Sequence, residues 1–252
     1  MTMELQSLLL SIAALLIGVL YWNAQRRHRQ RIGRERGKLW DECLSLLGGA
    51  RLYQDEIDFP RLEGDYGGCR VTLEAIADHI AFRKLPQLWL RATVRADIPY
   101  RGVLDLLARP ENVEFYSPIW SLPVTVDTPA GWPAHALLRT DSAGEMPPLS
   151  VVGRHLGIFD DSRAKELLIT PRGVRLVYQL AQGQRAHYAV FRSVSFELSR
   201  AQSHEVRRIL DAALAISDDL GASRRPASST APDPRETHAT QWPILSPLGT
   251  PC

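Results

Sequence analysis

An α+β fold is what this 252-residue chain predicts, and three patterns predict it. Two stretches, residues 69–95 and 166–197, alternate apolar and polar residues with the period of half-buried strands. An apolar stripe at helical spacing follows the second stretch, and an uncharged apolar run opens the chain. The expected architecture is an N-terminal transmembrane helix followed by a domain of antiparallel β-meanders with packed helices. Two β-meander-plus-helix halves are one way to arrange them.

The opening run, Leu5 to Trp22, holds 18 residues without a charge. As a helix rising ~1.5 Å per residue it would be ~27 Å long, close to the ~30 Å hydrocarbon thickness of a bilayer. A cleaved signal peptide needs a basic start and a small-residue cleavage site. Here Met1-Thr2-Met3-Glu4 has no Lys or Arg, and the run leads through Tyr21 and Trp22 into arginine. Residues 1–25 are therefore read as an uncleaved anchor with its aromatics at the membrane interface; a buried core helix is the alternative. Residues 26–38 form a basic juxtamembrane segment in which Arg26, Arg27, Arg29, Arg31, Arg34, Arg36 and Lys38 face a single Glu. Positive charge stays cytoplasmic, which places the N-terminus outside and the body inside. Each of the six arginines can add ~1 kcal/mol of attraction to anionic headgroups.

The body, residues 39–220, carries 20 Lys/Arg and 24 Asp/Glu, a net −4. A mildly acidic body lacks the clustered cations that a phosphate backbone requires, so no nucleic-acid partner is expected. Arginine outnumbers lysine 27 to 3 along the whole chain, a bias of coding rather than of function. Cys43, Cys69 and Cys252 are far apart and odd in number, which argues against a disulfide framework or zinc site and fits a reducing cytoplasm.

The elements follow in order. Leu39 to Leu47 reads as a helix with Leu39, Cys43, Leu46 and Leu47 on one face, ended by Gly48-Gly49. Gly67-Gly68 supplies a hairpin turn before the strand Cys69–Ala75. In Gln87–Arg95, Leu88, Leu90, Ala92 and Val94 share a face, and Tyr100 to Ala108 reads as helical. A short strand Glu166–Thr170 leads into Thr170-Pro171-Arg172-Gly173, whose Pro and Gly positions suit a type I turn. Val174, Leu176, Tyr178 and Leu180 then point one way, and a third strand, Ala186 to Glu197, completes a meander with Tyr188, Val190, Val194 and Phe196 on one face. Ser199 to Gln202 reads as a capping box, and Val206, Ile209, Leu210, Ala213, Leu214 and Ile216 lay the stripe of the closing helix. That stripe packs on the meander or, alternatively, on a partner. Residues 221–252 hold six prolines among Ser, Thr and Ala, the composition of a disordered tail, with Trp242 to Leu245 as an apolar island.

A single anchor, the hairpin Gly64-Asp65-Tyr66-Gly67-Gly68-Cys69-Arg70-Val71, a strand meander and a closing helix resemble families of uncharacterised bacterial membrane-anchored proteins. Lys165 to Phe196 is the most family-like stretch. The resemblance implies a bacterial inner-membrane setting and carries over no catalytic residue.

Chemistry-bearing motifs are absent: there is no phosphate-binding glycine loop, no dinucleotide fingerprint, no His-Glu-x-x-His and no Gly-x-Ser-x-Gly. No cofactor or metal is expected. Asp78-His79 and the trio His155, Asp160 and Asp161 are metal-ligand types without a ligand spacing, and read as solvated loops. Arg192 falls by strand parity on an apolar face. It needs a bulge that turns it outward, a rim position, an ion pair with a carboxylate such as Asp211, or an anion to bind. Between Pro110 and Pro133, five prolines interleave with Phe115, Tyr116, Trp120 and Trp132. Stiffened backbone and aromatic area suit a partner-binding surface, or else a long connection pinned to the core. The resulting expectation is a membrane-tethered cytoplasmic protein-binding domain without catalysis. The alternatives are an enzyme lacking a short motif and a small-ligand or lipid-binding module.

Overall fold

Main-chain hydrogen bonds join the body into one antiparallel sheet of nine strands among the described residues. The computed structural model describes residues 2–78, 86–110, 117–183, 196 and 200–223, with side chains of the first helix from residue 12 onward. Helix α1 (Thr2–Gly37) precedes β1 (Gly48–Tyr53), β2 (Arg61–Tyr66), β3 (Cys69–Asp78), β4 (Gln87–Arg95) and β5 (Leu104–Ala108). Then come β6 (Val124–Val126), β7 (Ala136–Thr140), the single turn α2 (Leu149–Val152), β8 (Ala164–Thr170), β9 (Gly173–Gln182) and α3 (Ser203–Ser223). The spatial order is β1-β2-β3-β4-β9-β8-β5-β7-β6. The hairpin β8–β9 thus slots between the N-terminal meander and β5, closing the sheet across its centre.

One cross-strand row shows how the sheet is held in register. Leu52, Leu62, Leu73, Ala92, Leu176, Leu167, Leu106, Leu138 and Val126 oppose one another in turn, one per strand. A one-residue slip anywhere would turn that strand's apolar set to the other face. Helix α3 lies over β4 and β9 on this side. Its Val206, Ile209, Leu210, Ala213 and Ile216 are fully buried, as the stripe requires. Each full-sized apolar side chain buried there contributes ~1.5–3 kcal/mol. The helix starts at Ser203, where the Gln202 carbonyl accepts from the Glu205 and Val206 N–H groups. Ser199 lies outside the described residues, but residues 200–202 precede the helix and the Ala201 N–H is bonded to the Leu39 carbonyl, so the expected Ser199–Gln202 capping box does not start it.

Several expectations are met locally. Strands β3, β4 and β9 form where alternation placed them, and β8 where the short apolar run Glu166–Thr170 did. Gly67 and Gly68 make the β2–β3 turn with φ +58 and +85, the doubly left-handed geometry that a two-residue hairpin favours.

Three expectations are corrected. Leu39 to Leu47 is not an α-helix: the chain leaves α1 at Gly37, turns through residues 38–43 and makes a short 3-10 turn at Leu44–Leu46. Leu39, Cys43 and Leu47 are nonetheless buried as read. The reason is the Leu39 carbonyl, which is committed to the Ala201 N–H at 2.8 Å and not to the next helical turn. Tyr100 to Ala108 is not helical either; Leu104–Ala108 is the strand β5, buried along its whole length. With that helix gone, the first strand-rich stretch has no helix of its own, and the two stretches form one sheet instead of two halves.

The third strand of the second meander, Ala186 to Glu197, lies outside the described residues except at Phe196, which bridges to Gly183. The expected disordered tail, with Trp242, lies outside them from residue 224 onward. Among the described residues no helix is long and apolar enough to cross a membrane; the run Leu5–Trp22 begins before the first described side chain, at residue 12.

Candidate binding face and its buried charges

The sheet face opposite α3 carries the polar half of the alternation in β2, β3 and β4. Over β2, β3 and β4 it is a lattice of opposite charges. Arg61 meets Glu63 at 3.1 Å, Arg70 meets Glu63 at 3.5 Å and Asp65 at 3.6 Å, and Arg91 meets Glu74 at 2.7 Å. Such surface pairs are worth ~0–1 kcal/mol each, so they set register and solubility more than stability.

Toward β8, β5 and β7 the same face closes over. Leu107, Leu168 and Val177 are buried there, and among them sit two carboxylates, Asp105 on β5 and Glu166 on β8. Register places them as diagonal neighbours, since Asp105 opposes Leu168 while Glu166 opposes Leu107; such diagonals are ~7–8 Å apart. Asp105 is 0% exposed, and among the described residues neither of its carboxylate oxygens has a hydrogen-bond partner. Burial pushes its pKa up to about 9; the nearby Glu166 charge acts in the same direction, and Arg175 opposes them. At neutral pH Asp105 therefore holds its proton. Arg175, opposite Leu168 on β9, is drawn below its ordinary value by burial and by Arg91, and its Nε donates to Thr93 Oγ1 at 3.4 Å.

The rim of this face is the 3-10 turn Pro118–Ser121. Arg139, opposite Asp105 on β7, donates from Nη1 to the Ile119 carbonyl at 3.5 Å. The turn is built from its own sequence. Pro118 pre-sets φ at the first position, the Ile119 N–H donates to Ser117 Oγ at 3.3 Å, and Ser121 Oγ donates to the Pro118 carbonyl at 2.6 Å. Ile119 plugs inward, fully buried, and Trp120 is left 57% exposed.

A second polar cluster lies where α3 meets the ends of β8 and β9. Asp161 Oδ2 accepts from Tyr178 Oη at 2.5 Å and from Arg208 at 2.8 Å, while Oδ1 accepts from the Arg163 N–H at 2.9 Å. Arg163 also reaches Glu205 at 2.7 Å, and both arginines lie over the Tyr178 ring. Burial would raise the Asp161 pKa, but the bonds from Tyr178, Arg163 and Arg208 outweigh it and hold the carboxyl well below the ordinary range. Replacing Asp161 by Asn is expected to cost ~1.5–3 kcal/mol in urea unfolding, the range for hydrogen bonds to a charged group. A folded-state pKa below the unfolded ~3.9 supplies stability above that pH and loses it on acidification. The variant's profile should therefore lack this acid limb.

The sequence-derived candidates separate in space. Trp120 is open on a rigid turn, whereas Trp132 is half-buried and packs against the main core. Phe115, Tyr116 and Arg192 lie outside the described residues, as does His79 of the pair Asp78-His79. Asp211, offered as a partner for Arg192, accepts from Tyr66 Oη at 2.6 Å. His155 Nε2 lies 2.8 Å from Asp219, away from Asp161. Among the described residues no three His, Cys, Asp or Glu side chains are grouped to hold a metal ion. Of the collar arginines, Arg29 pairs with Glu56 and Arg31 with Glu35, while Arg36 Nη1 donates to the Ile57 carbonyl at 2.8 Å. Asp105, Glu166, Arg175 and Arg139 were not singled out from the sequence. The only signal was an aspartate inside Leu104-Asp105-Leu106-Leu107, where a carboxylate interrupts an apolar run.

Comparison with protein-family models, with curated proteins and with solved structures finds no match. The site rests on its own geometry.

Proposed function

We propose that the chain is a membrane-tethered domain, held at the cytoplasmic face of a bacterial inner membrane, that binds a protein partner without catalysing a reaction. The tether is supported by α1. From Ile12 to Trp22 its large apolar side chains are 48–70% exposed and point to every side of the helix. A helix apolar all round, with no protein over it among the described residues, calls for lipid. At ~1.5 Å per residue its 36 residues reach ~54 Å, enough for Leu5–Trp22 to cross and for the arginines to emerge as the same helix.

The observation that carries the binding role is Trp120. A large aromatic side chain stands open on a turn whose backbone is locked by Ser117, Ser121 and a buried Ile119. A pre-ordered aromatic loses little conformational entropy on contact, which is how interface anchors act. A binding role is also favoured over catalysis by the state of the two polar clusters. Asp105 is sealed from solvent and Asp161 is saturated by its own neighbours, so neither presents a free group to a substrate.

The test compares two variants in intact membranes with a crosslinker. Trp120→Ala should leave the unfolding midpoint nearly unchanged and abolish the crosslinked adduct. Ile119→Ala should lower stability by ~2–5 kcal/mol, as truncation of a buried Ile does. An adduct that survives Trp120→Ala at full yield removes this turn from the interface.

A further inference from the structure

A notch opens between α1 and the loop after β1, with a volume of about 590 Å³, within the ~300–1,000 Å³ of small-ligand sites. One face of α1 supplies Tyr21, Trp22, Gln25, Arg26 and Arg29 along one wall, and Glu56 and Ile57 form the other. The notch is not a loose gap. Gln54 Nε2 donates to the Gly33 carbonyl at 2.8 Å and to the Asp58 carbonyl at 2.9 Å, and Arg36 ties down the Ile57 carbonyl. The Glu56 carbonyl lies so near Gly33 that a Cβ there would approach it to 2.7 Å, so the two walls meet only because residue 33 has no side chain.

Resting on the anchor reading, we infer that this notch binds the headgroup of an anionic phospholipid, with Arg26 and Arg29 on the phosphodiester and Tyr21 and Trp22 at the top of the acyl chains. Depth supports it. Arg26 stands ~6 Å beyond Trp22 along the helix, within the ~5–8 Å headgroup layer, and Arg29, at ~10 Å, lies at its outer edge, from which a long side chain leaning toward the helix N-terminus reaches back. Charge supports it as well. Arg29 is paired with Glu56 at 2.5 Å, whereas Arg26 has no ion-pair partner among the described residues. The notch carries a net single positive charge, which matches a monoanionic phosphodiester better than a multiply charged phosphate. Gln25 and Gln30 add neutral donors on either side of the two arginines, and the Gln25 amide already donates to Tyr21 Oη at 3.2 Å.

The experiment uses the full chain in nanodiscs of phosphatidylcholine doped with phosphatidylglycerol, released into detergent and weighed with its retained lipid by native mass spectrometry. The wild type should retain phosphatidylglycerol. Arg26→Gln should cut retention about tenfold, the loss of one charge-assisted contact. Arg34→Gln, of equal charge but away from the notch, should change it less than about twofold, because the ~1 kcal/mol that a collar arginine draws from the bilayer's surface potential is gone once the bilayer is dissolved. Equal losses in both variants would overturn the notch in favour of a diffuse basic collar. Displacement of the lipid by inorganic phosphate would overturn the lipid as occupant. Extraction of the full chain from membranes by alkaline carbonate would instead defeat the anchor reading itself, and is scored separately.

Discussion

Asp105→Asn is expected to make the body more stable at alkaline pH and to flatten its pH profile. Asp105 titrates at about 9 in the fold and near ~3.9 in the unfolded chain. Between those values the folded state holds a proton that the unfolded state has lost. Stability therefore falls as pH rises through this window, by up to ~1.4 kcal/mol per unit for one proton, and levels off above pH about 9. An amide has no proton to lose, so the variant's slope should vanish. It still buries a polar group without a partner, at ~1–3 kcal/mol. The two curves should cross: the wild type is the more stable in acid, the variant in base. Urea unfolding at a series of pH values reads this directly. A wild-type profile that is already flat across neutrality would mean that water reaches the carboxylate.

Trp40→Ala is expected to cost ~3–5 kcal/mol, the range for aromatic truncation in a packed interior. Trp40 is fully buried, and its indole N–H donates to the Pro60 carbonyl at 2.6 Å. Truncation empties a large volume and strands that carbonyl. The residue lies two positions after Lys38, the last of the basic segment, where the chain knits into the body. Leu39 holds Ala201 by a main-chain bond, and Cys43 Sγ lies 3.6 Å from the Ala201 carbonyl. Burial, with help from Glu42, pushes the Cys43 thiol up to about 12, so alkylating reagents should reach it only after unfolding. A fragment beginning at Leu39 should fold, whereas one beginning at Leu44 should not. Circular dichroism of the two fragments separates these outcomes.

Of the strands that the sequence revealed, β3 and β9 have one face in the main core and the other partly in water, whereas β8, buried on both, was legible only as a short apolar run before a turn. Val71 and Leu73 alternate with Thr72 and Glu74, and Val174, Leu176 and Tyr178 with Arg175 and Gln179, so period two survives in the letters. Strand β5 is buried on both faces, and Leu-Asp-Leu-Leu-Ala carries no clear period over five residues. The buried carboxylate went unseen for the same reason. Nothing near Asp105 in sequence says that β8, sixty positions on, will bring Glu166 beside it. Trp120 and Trp132 looked alike as members of a proline-aromatic stretch. What divides them is tertiary: Trp132 packs against the core cluster, whereas Trp120 follows a residue that fills the inward position.

The placement of β9 between β4 and β8 has a temporal consequence during synthesis. Strand β4 ends at Arg95 and its central partner begins at Gly173, a delay of about 80 residues, or ~4–16 s at a ribosome adding ~5–20 residues per second. Throughout that interval the first four strands must wait with the main-chain donors and acceptors along one edge of β4 unsatisfied, beside Leu88, Leu90, Ala92 and Val94. An open apolar edge is a template for pairing with another nascent chain.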